Sequence, residues 1–146
     1  MSEQIKYIEF QKMFRNHPKI IEYIQGASIA NAPTFLLFIV LSLIDPNLES
    51  FVYNIQFFDI SLPILSMLTL LLVIVSTVIA GFLVAGKVSR QQYVKIGAYT
   101  GAFSYLMFLI YKLFFYPSGI LTESWMFIVF VIGGGLGGLL KRIFYY

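Results

Sequence analysis

Four times in 146 residues this chain presents an apolar run long enough to cross a lipid bilayer, and this recurrence constrains its fold more than any other feature. A hydrocarbon core about 30 Å thick is spanned by roughly 20 residues of α-helix. Runs of that kind lie at about 25–44, 62–86, 96–116 and 122–140. In hydrocarbon each backbone N–H and C=O must find its partner within the segment, which selects helix over irregular chain. The runs are joined by short segments, so consecutive helices are expected to pack as antiparallel neighbours. Charged residues make up only 12% of the chain, against about 25% in an ordinary soluble domain, too few to clothe a water-soluble surface of this size. The predicted fold is therefore all-α: a polytopic membrane protein with four transmembrane helices in one antiparallel bundle. Residues 1–24 form a cytoplasmic amphipathic segment, and residues 25–146 form a single transmembrane domain.

The charges orient the bundle. Lys6, Lys12, Arg15 and Lys19 precede the first run, Lys87, Arg90 and Lys95 lie between the second and third, and Lys141 and Arg142 follow the fourth. These nine of the ten basic residues fall on one side, while the other side holds Lys112 with Asp45, Glu49, Asp59 and Glu123. Short loops rich in Lys and Arg stay cytoplasmic, which predicts both termini inside. The first 24 residues are charged rather than apolar and do not read as a cleavable leader. The net charge of +3 is explained by topology, with anionic lipid at the cytoplasmic face as the expected partner and no nucleic acid.

Outside the runs, Ser2 to Asn16 reads as a short amphipathic helix lying in the membrane interface, with docking onto a partner subunit as the alternative. Asn16 or His17 can cap the first long helix, with Pro18 in its first turn. Residues 51–58 alternate in a period of two. That spacing suits an extended segment, or an aromatic stretch lying among the headgroups.

Small residues recur at one depth. Gly26 and Ala30 mark the first helix, Gly81 and Ala85 the second, Gly97 and Gly101 the third, and Gly133, Gly134, Gly137 and Gly138 the fourth. Membrane helices gain little by moving apolar side chains out of lipid, so they associate where small residues let backbones approach. All four clusters fall in the cytoplasmic half, and bulky aromatics fill the outer half. The sequence thus predicts a bundle that closes tightly near the cytoplasm and widens outward. Residues 78–85 faintly echo 131–138, and 26–30 echo 97–101, which suggests two hairpins related by an axis along the membrane normal.

The glycine-patterned helix ends at Ala80-Gly81, Gly97–Gly101 and Gly133–Gly138 resemble those of small glycine-rich four-helix membrane proteins of unknown function found in archaea and bacteria. The resemblance covers roughly Leu62 to Arg142. It implies the four-helix fold and supplies no activity; the expected location is the plasma membrane of a prokaryote.

Polar residues within the spans are the functional candidates. Asn31, Ser76, Thr77, Thr100 and Ser104 form an expected intramembrane cluster, and Pro33 forms an expected hinge because it frees the carbonyl of Ile29. Such a set can line a small cavity or simply bond one helix to another. Lys112 and Glu123 are expected to pair at the outer interface. The chain has no Cys and one His, its spans hold no pair of carboxylates, and the 133–138 run lacks the Lys-Ser/Thr of a phosphate loop. No catalytic residue, metal ligand or cofactor site is assigned. The expected function is a non-catalytic membrane subunit that assembles through glycine-mediated helix packing, with itself or with other membrane subunits. The alternative is a small transporter, channel or carrier for an uncharged or lipid-like molecule.

Overall fold

The computed structural model describes residues 17–44, 63–115 and 125–145. These residues form an all-helical bundle of four long helices: α1 (Ile20–Ile44), α2 (Pro63–Ala85), α3 (Tyr93–Phe115) and α4 (Met126–Phe144). A single 3₁₀ turn, Arg90–Gln92, leads into α3. The amphipathic segment expected before residue 17, the aromatic stretch at 51–58 and Glu123 lie outside the described residues.

The helix boundaries differ from the expected spans by a few residues, each time for a local reason. The α1 helix starts at Ile20 rather than about 25. At its start the Glu22 carboxylate accepts the backbone N–H of Lys19 at 2.7 Å. That is the return half of a capping box, with Lys19 in the cap position and Glu22 three residues on. The α4 helix runs on to Phe144, past Lys141 and Arg142. Cations in a last turn complement the helix dipole, so charge there prolongs the helix while ending the apolar run. Pro33 lies within a continuous α1.

Cross-helix contacts fix the directions. Gly26 meets Val84 and Ala30 meets Ser76, so α1 and α2 run antiparallel. Gly97 meets Gly134 and Gly101 meets Phe130, so α3 and α4 do too. Gly133 meets Thr77 and Gly137 meets Val78 and Phe82, which makes α2 and α4 parallel. Substantial contacts join α2 and α3 to each other and to both outer helices, but among the described residues no substantial contact joins α1 to α4. Two hairpins related by a twofold axis would pair α1 with α4 as they pair α2 with α3, so the faint internal echo is not realised in the packing.

One end of the bundle is built on backbone contact. The run Gly133-Gly134-Gly135-Leu136-Gly137-Gly138 holds two interleaved small-residue pairs that serve different neighbours. Gly133 and Gly137 face α2, where a side chain at Gly137 would strike the Val78 carbonyl and come within 2.7 Å of the Phe82 nitrogen. Gly134 and Gly138 face α3, where side chains would strike the carbonyls of Gly97 and Tyr93. Only glycine lets three backbones approach this closely. The same end gathers Lys19, Lys87, Arg90, Lys95, Lys141 and Arg142. There the Lys141 ammonium lies 4.5 Å from the Phe82 ring centroid and 3.6 Å from that of Tyr145, tying the end of α4 to α2.

The far end is packed by side chains. Val73, Tyr105, Phe108, Met126 and Phe130 form one buried cluster. Phe130 lies at its centre, 5.9 Å from Tyr105 and 5.8 Å from Phe108, ring to ring. The outward faces are apolar on every helix, with Leu36, Val40, Leu71, Val75, Leu106, Ile110, Ile128 and Ile132 all exposed. Three of the helices are long and apolar enough to cross a membrane: Met67–Ala85, Arg90–Leu113 and Met126–Phe144.

Candidate functional site

The polar residues singled out in the sequence do converge. Ala27, Ala30, Asn31 and Thr34 recur at three- and four-residue intervals and form the buried stripe of α1. Ser76 and Thr77 from α2 and Thr100 and Ser104 from α3 are buried as well. Two of these side chains bond between helices. Asn31 Nδ2 donates to the carbonyl of Ala27 at 2.8 Å and, across to α3, to that of Ser104 at 3.1 Å. Ser76 Oγ donates across to the Ala30 carbonyl of α1 at 2.7 Å, sharing its proton with its own Leu72 carbonyl at 2.7 Å.

Of the remaining hydroxyls, that of Thr34 is buried without a hydrogen-bond partner among the described residues, and three others bond back along their own helices. Thr77 donates to Val73, Thr100 to Ile96 and Ser104 to Thr100. Such bonds keep a buried hydroxyl from being orphaned in an apolar interior. The sequence pattern identified the cluster, but it could not show that only Asn31 and Ser76 reach across. Both bonds hold α1, the helix furthest from the glycine-packed core, to its neighbours.

An interhelical hydrogen bond within a membrane averages about 0.6 kcal/mol. Ser76→Ala and Asn31→Leu together are therefore expected to loosen α1 by about 1 kcal/mol, measured as a shift in the midpoint of unfolding in a detergent titration. Thr100→Ala, which removes only a bond within its own helix, is expected to change that midpoint by less than either.

The structure adds a feature that the sequence did not reveal. A groove of about 430 Å³ opens between α1 and α3 on the side of the bundle. Ala27, Ser28, Asn31, Ala32 and Phe35 line it from α1, and Met107, Ile110 and Tyr111 line it from α3. Phe35 stacks on Tyr111 with centroids 3.9 Å apart, closing the groove at the end away from the glycines. The floor is set by Asn31 where it bonds to Ser104, and Ser28 and Ala32 lie at the exposed margin. The signal available beforehand was the spacing of Ser28, Asn31, Ala32 and Phe35 on one face of α1. The α3 wall consists of ordinary apolar residues that nothing in the sequence distinguishes.

The other expected site residues divide by position. Gly26, Ala30, Gly81, Ala85, Gly97, Gly101, Gly133, Gly134, Gly137 and Gly138 are all buried, and the close approaches of the glycines are to other helices of the same chain. Pro33 is half-buried, next to the groove residue Ala32. Lys112, expected at the outer interface with Glu123, lies in the last turn of α3, where it continues the buried stripe Ile96-Thr100-Ser104-Phe108 and is only 7% exposed; Glu123 lies outside the described residues. Among the described residues no cluster of His, Asp or Glu could hold a metal ion. No protein-family model, curated protein or solved structure matches this chain.

Proposed function

We propose that this chain is an integral membrane protein that spans the bilayer four times, with its termini in the cytoplasm, and works as a non-catalytic membrane subunit. The observation that carries the reading is the division of its surface: an apolar girdle on all four helices, with six basic residues gathered at one end. Short basic segments of this kind remain cytoplasmic and face anionic lipid. The α1 helix, 25 residues long and about 37 Å from end to end, supplies the fourth span beside the three apolar candidates. Its kinship with small glycine-rich four-helix membrane proteins is part of this proposal. Because the glycines are already in contact within the chain, assembly with itself or with other subunits would use the outward faces, such as Leu36, Val40 and Leu43 of α1.

The absence of Cys makes the topology directly testable. In intact cells Arg90→Cys and Arg142→Cys are expected to resist a membrane-impermeant maleimide until the membrane is opened, whereas Asn47→Cys is expected to react at once. Labelling of Arg90→Cys in sealed cells would overturn the orientation. Mass measurement in mild detergent tests the subunit role, which a lone monomer without partners would exclude.

A second reading is favoured by the groove. A lateral opening with a polar floor is what a carrier or binder of an uncharged, lipid-like molecule requires, and at about 430 Å³ it falls in the size range of small-molecule sites.

A further inference from the structure

We propose that the groove between α1 and α3 binds a neutral membrane amphiphile whose polar end is a single hydroxyl, which donates its proton to the side-chain oxygen of Asn31. The inference deepens the carrier reading and rests on the chain lying in a membrane.

Four observations lead to this occupant. First, the groove opens sideways between two helices whose neighbouring outward residues, Leu36 and Leu106, are exposed and apolar. An occupant therefore arrives from lipid rather than from water. Second, none of the described lining residues is charged, so an ionised headgroup would lie among them unpaired, at a large desolvation cost. Third, most of the wall is hydrocarbon or ring, from Ala32, Phe35, Met107 and Ile110, which suits an alkyl or isoprenoid body.

The fourth observation fixes the polar end. Asn31 is only 4% exposed, and both protons of its amide nitrogen are committed to the Ala27 and Ser104 carbonyls. Its Oδ1 accepts no hydrogen bond from the described residues. One turn earlier, Ser28 donates its proton to the Ile24 carbonyl at 2.9 Å and so offers the groove acceptor lone pairs only. On the α1 side the groove's polar atoms, Asn31 Oδ1 and Ser28 Oγ, present acceptors and no charge, so that side selects a donor. Asn31 lies about 9 Å along α1 from Gln25, where the apolar run begins, and so within the hydrocarbon core. No water is at hand at that depth, so a lipid hydroxyl and an amide oxygen that both lack partners are satisfied by each other. A ketone or an ether offers only acceptors and leaves both oxygens unpaired.

The test is photolabelling of the full chain in phosphatidylcholine vesicles with an octanol that carries a diazirine in its alkyl chain, read by peptide mass spectrometry. Adducts are expected on the α1 and α3 segments that border the groove. Unlabelled 1-octanol is expected to suppress them at about five- to tenfold lower concentration than octyl methyl ether, which has the same chain but no proton to donate. In Asn31→Leu that preference is expected to vanish. In Ala32→Phe, which keeps the Asn31 bonds and fills the groove, the adducts themselves are expected to disappear. Equal competition by alcohol and ether in the wild type would overturn the proposal, as would adducts scattered over the whole lipid-facing surface or adducts undiminished in Ala32→Phe. Resistance of the reconstituted chain to carbonate extraction separates the two levels. A chain that washes off fails the membrane reading, whereas a chain that stays and labels without preference fails only the hydroxyl assignment.

Discussion

Gly134→Ala is expected to destabilise the bundle by about 1–3 kcal/mol, while Gly135→Ala, one position along, is expected to leave it unchanged or stabilise it by up to about 1 kcal/mol. The two positions share a helix and a chemistry, and they differ in what a methyl group would meet. At Gly134 it would strike the carbonyl oxygen of Gly97 and come within 2.8 Å of the Gly101 nitrogen, both backbone atoms of α3 that no rotamer change can move. The carbonyl of Gly134 is meanwhile the atom that a side chain on Gly81 of α2 would strike. Pushing α4 away from α3 therefore disturbs its seat on α2 as well. At Gly135 the nearest atom is the Ala98 methyl at 3.9 Å, an ordinary van der Waals contact. The remaining effect there is the intrinsic preference of a helix interior for Ala over Gly. Unfolding of both variants in a detergent titration checks the contrast, and equal midpoints would show that the helices do not meet at Gly134.

That pair of neighbours also shows how far the sequence could be read. The spacing of Gly97 with Gly101, and of Gly133 and Gly134 with Gly137 and Gly138, suggests close backbone approach; Gly97, Gly101, Gly134, Gly137 and Gly138 lie against backbone atoms of a neighbouring helix, and Gly133 lies against the Thr77 side chain. A small residue records that a helix comes near without recording which helix. Homo-oligomeric assembly through these faces is therefore one expectation the spacing allows, and within the single chain the glycines meet other helices of the same chain. The interleaving of the four glycines of α4, one pair toward α2 and one toward α3, follows only once three helices are placed together. The polar cluster was legible for a similar reason. Ser, Thr and Asn within an apolar run must find partners, but whether a hydroxyl bonds along its own helix, as Thr100 does, or across, as Ser76 does, depends on rotation about the helix axis. The groove was the least legible feature, because its α3 wall is Met107, Ile110 and Tyr111, residues typical of any lipid-facing helix. The burial of Lys112 is legible in its four-residue spacing from Phe108, and onward to Ser104, which is the period of the buried face of α3; its pairing with Glu123 lies outside the described residues.

At the opposite end from the glycines, Phe130→Ala is expected to cost about 2 kcal/mol, and Ile132→Ala on the same helix is expected to cost almost nothing. Phe130 is 1% exposed and its ring touches those of Tyr105 and Phe108, whereas Ile132 is 57% exposed on the outward face. In a soluble core the same truncation costs about 3–5 kcal/mol, as a transfer term plus a cavity term. In a bilayer the separated helices expose Phe130 to acyl chains rather than to water, so most of the transfer term cancels. The cavity term survives, because the rings of Tyr105 and Phe108 lose their contacts on one side whatever the solvent. Phe130→Leu is expected to recover most of the loss by refilling the space. If Phe130→Ala cost no more than Ile132→Ala, the aromatic end would not be a packed core. The glycine end alone would then hold α3 and α4 together, and the loss in Gly134→Ala would approach the whole stability of that pair.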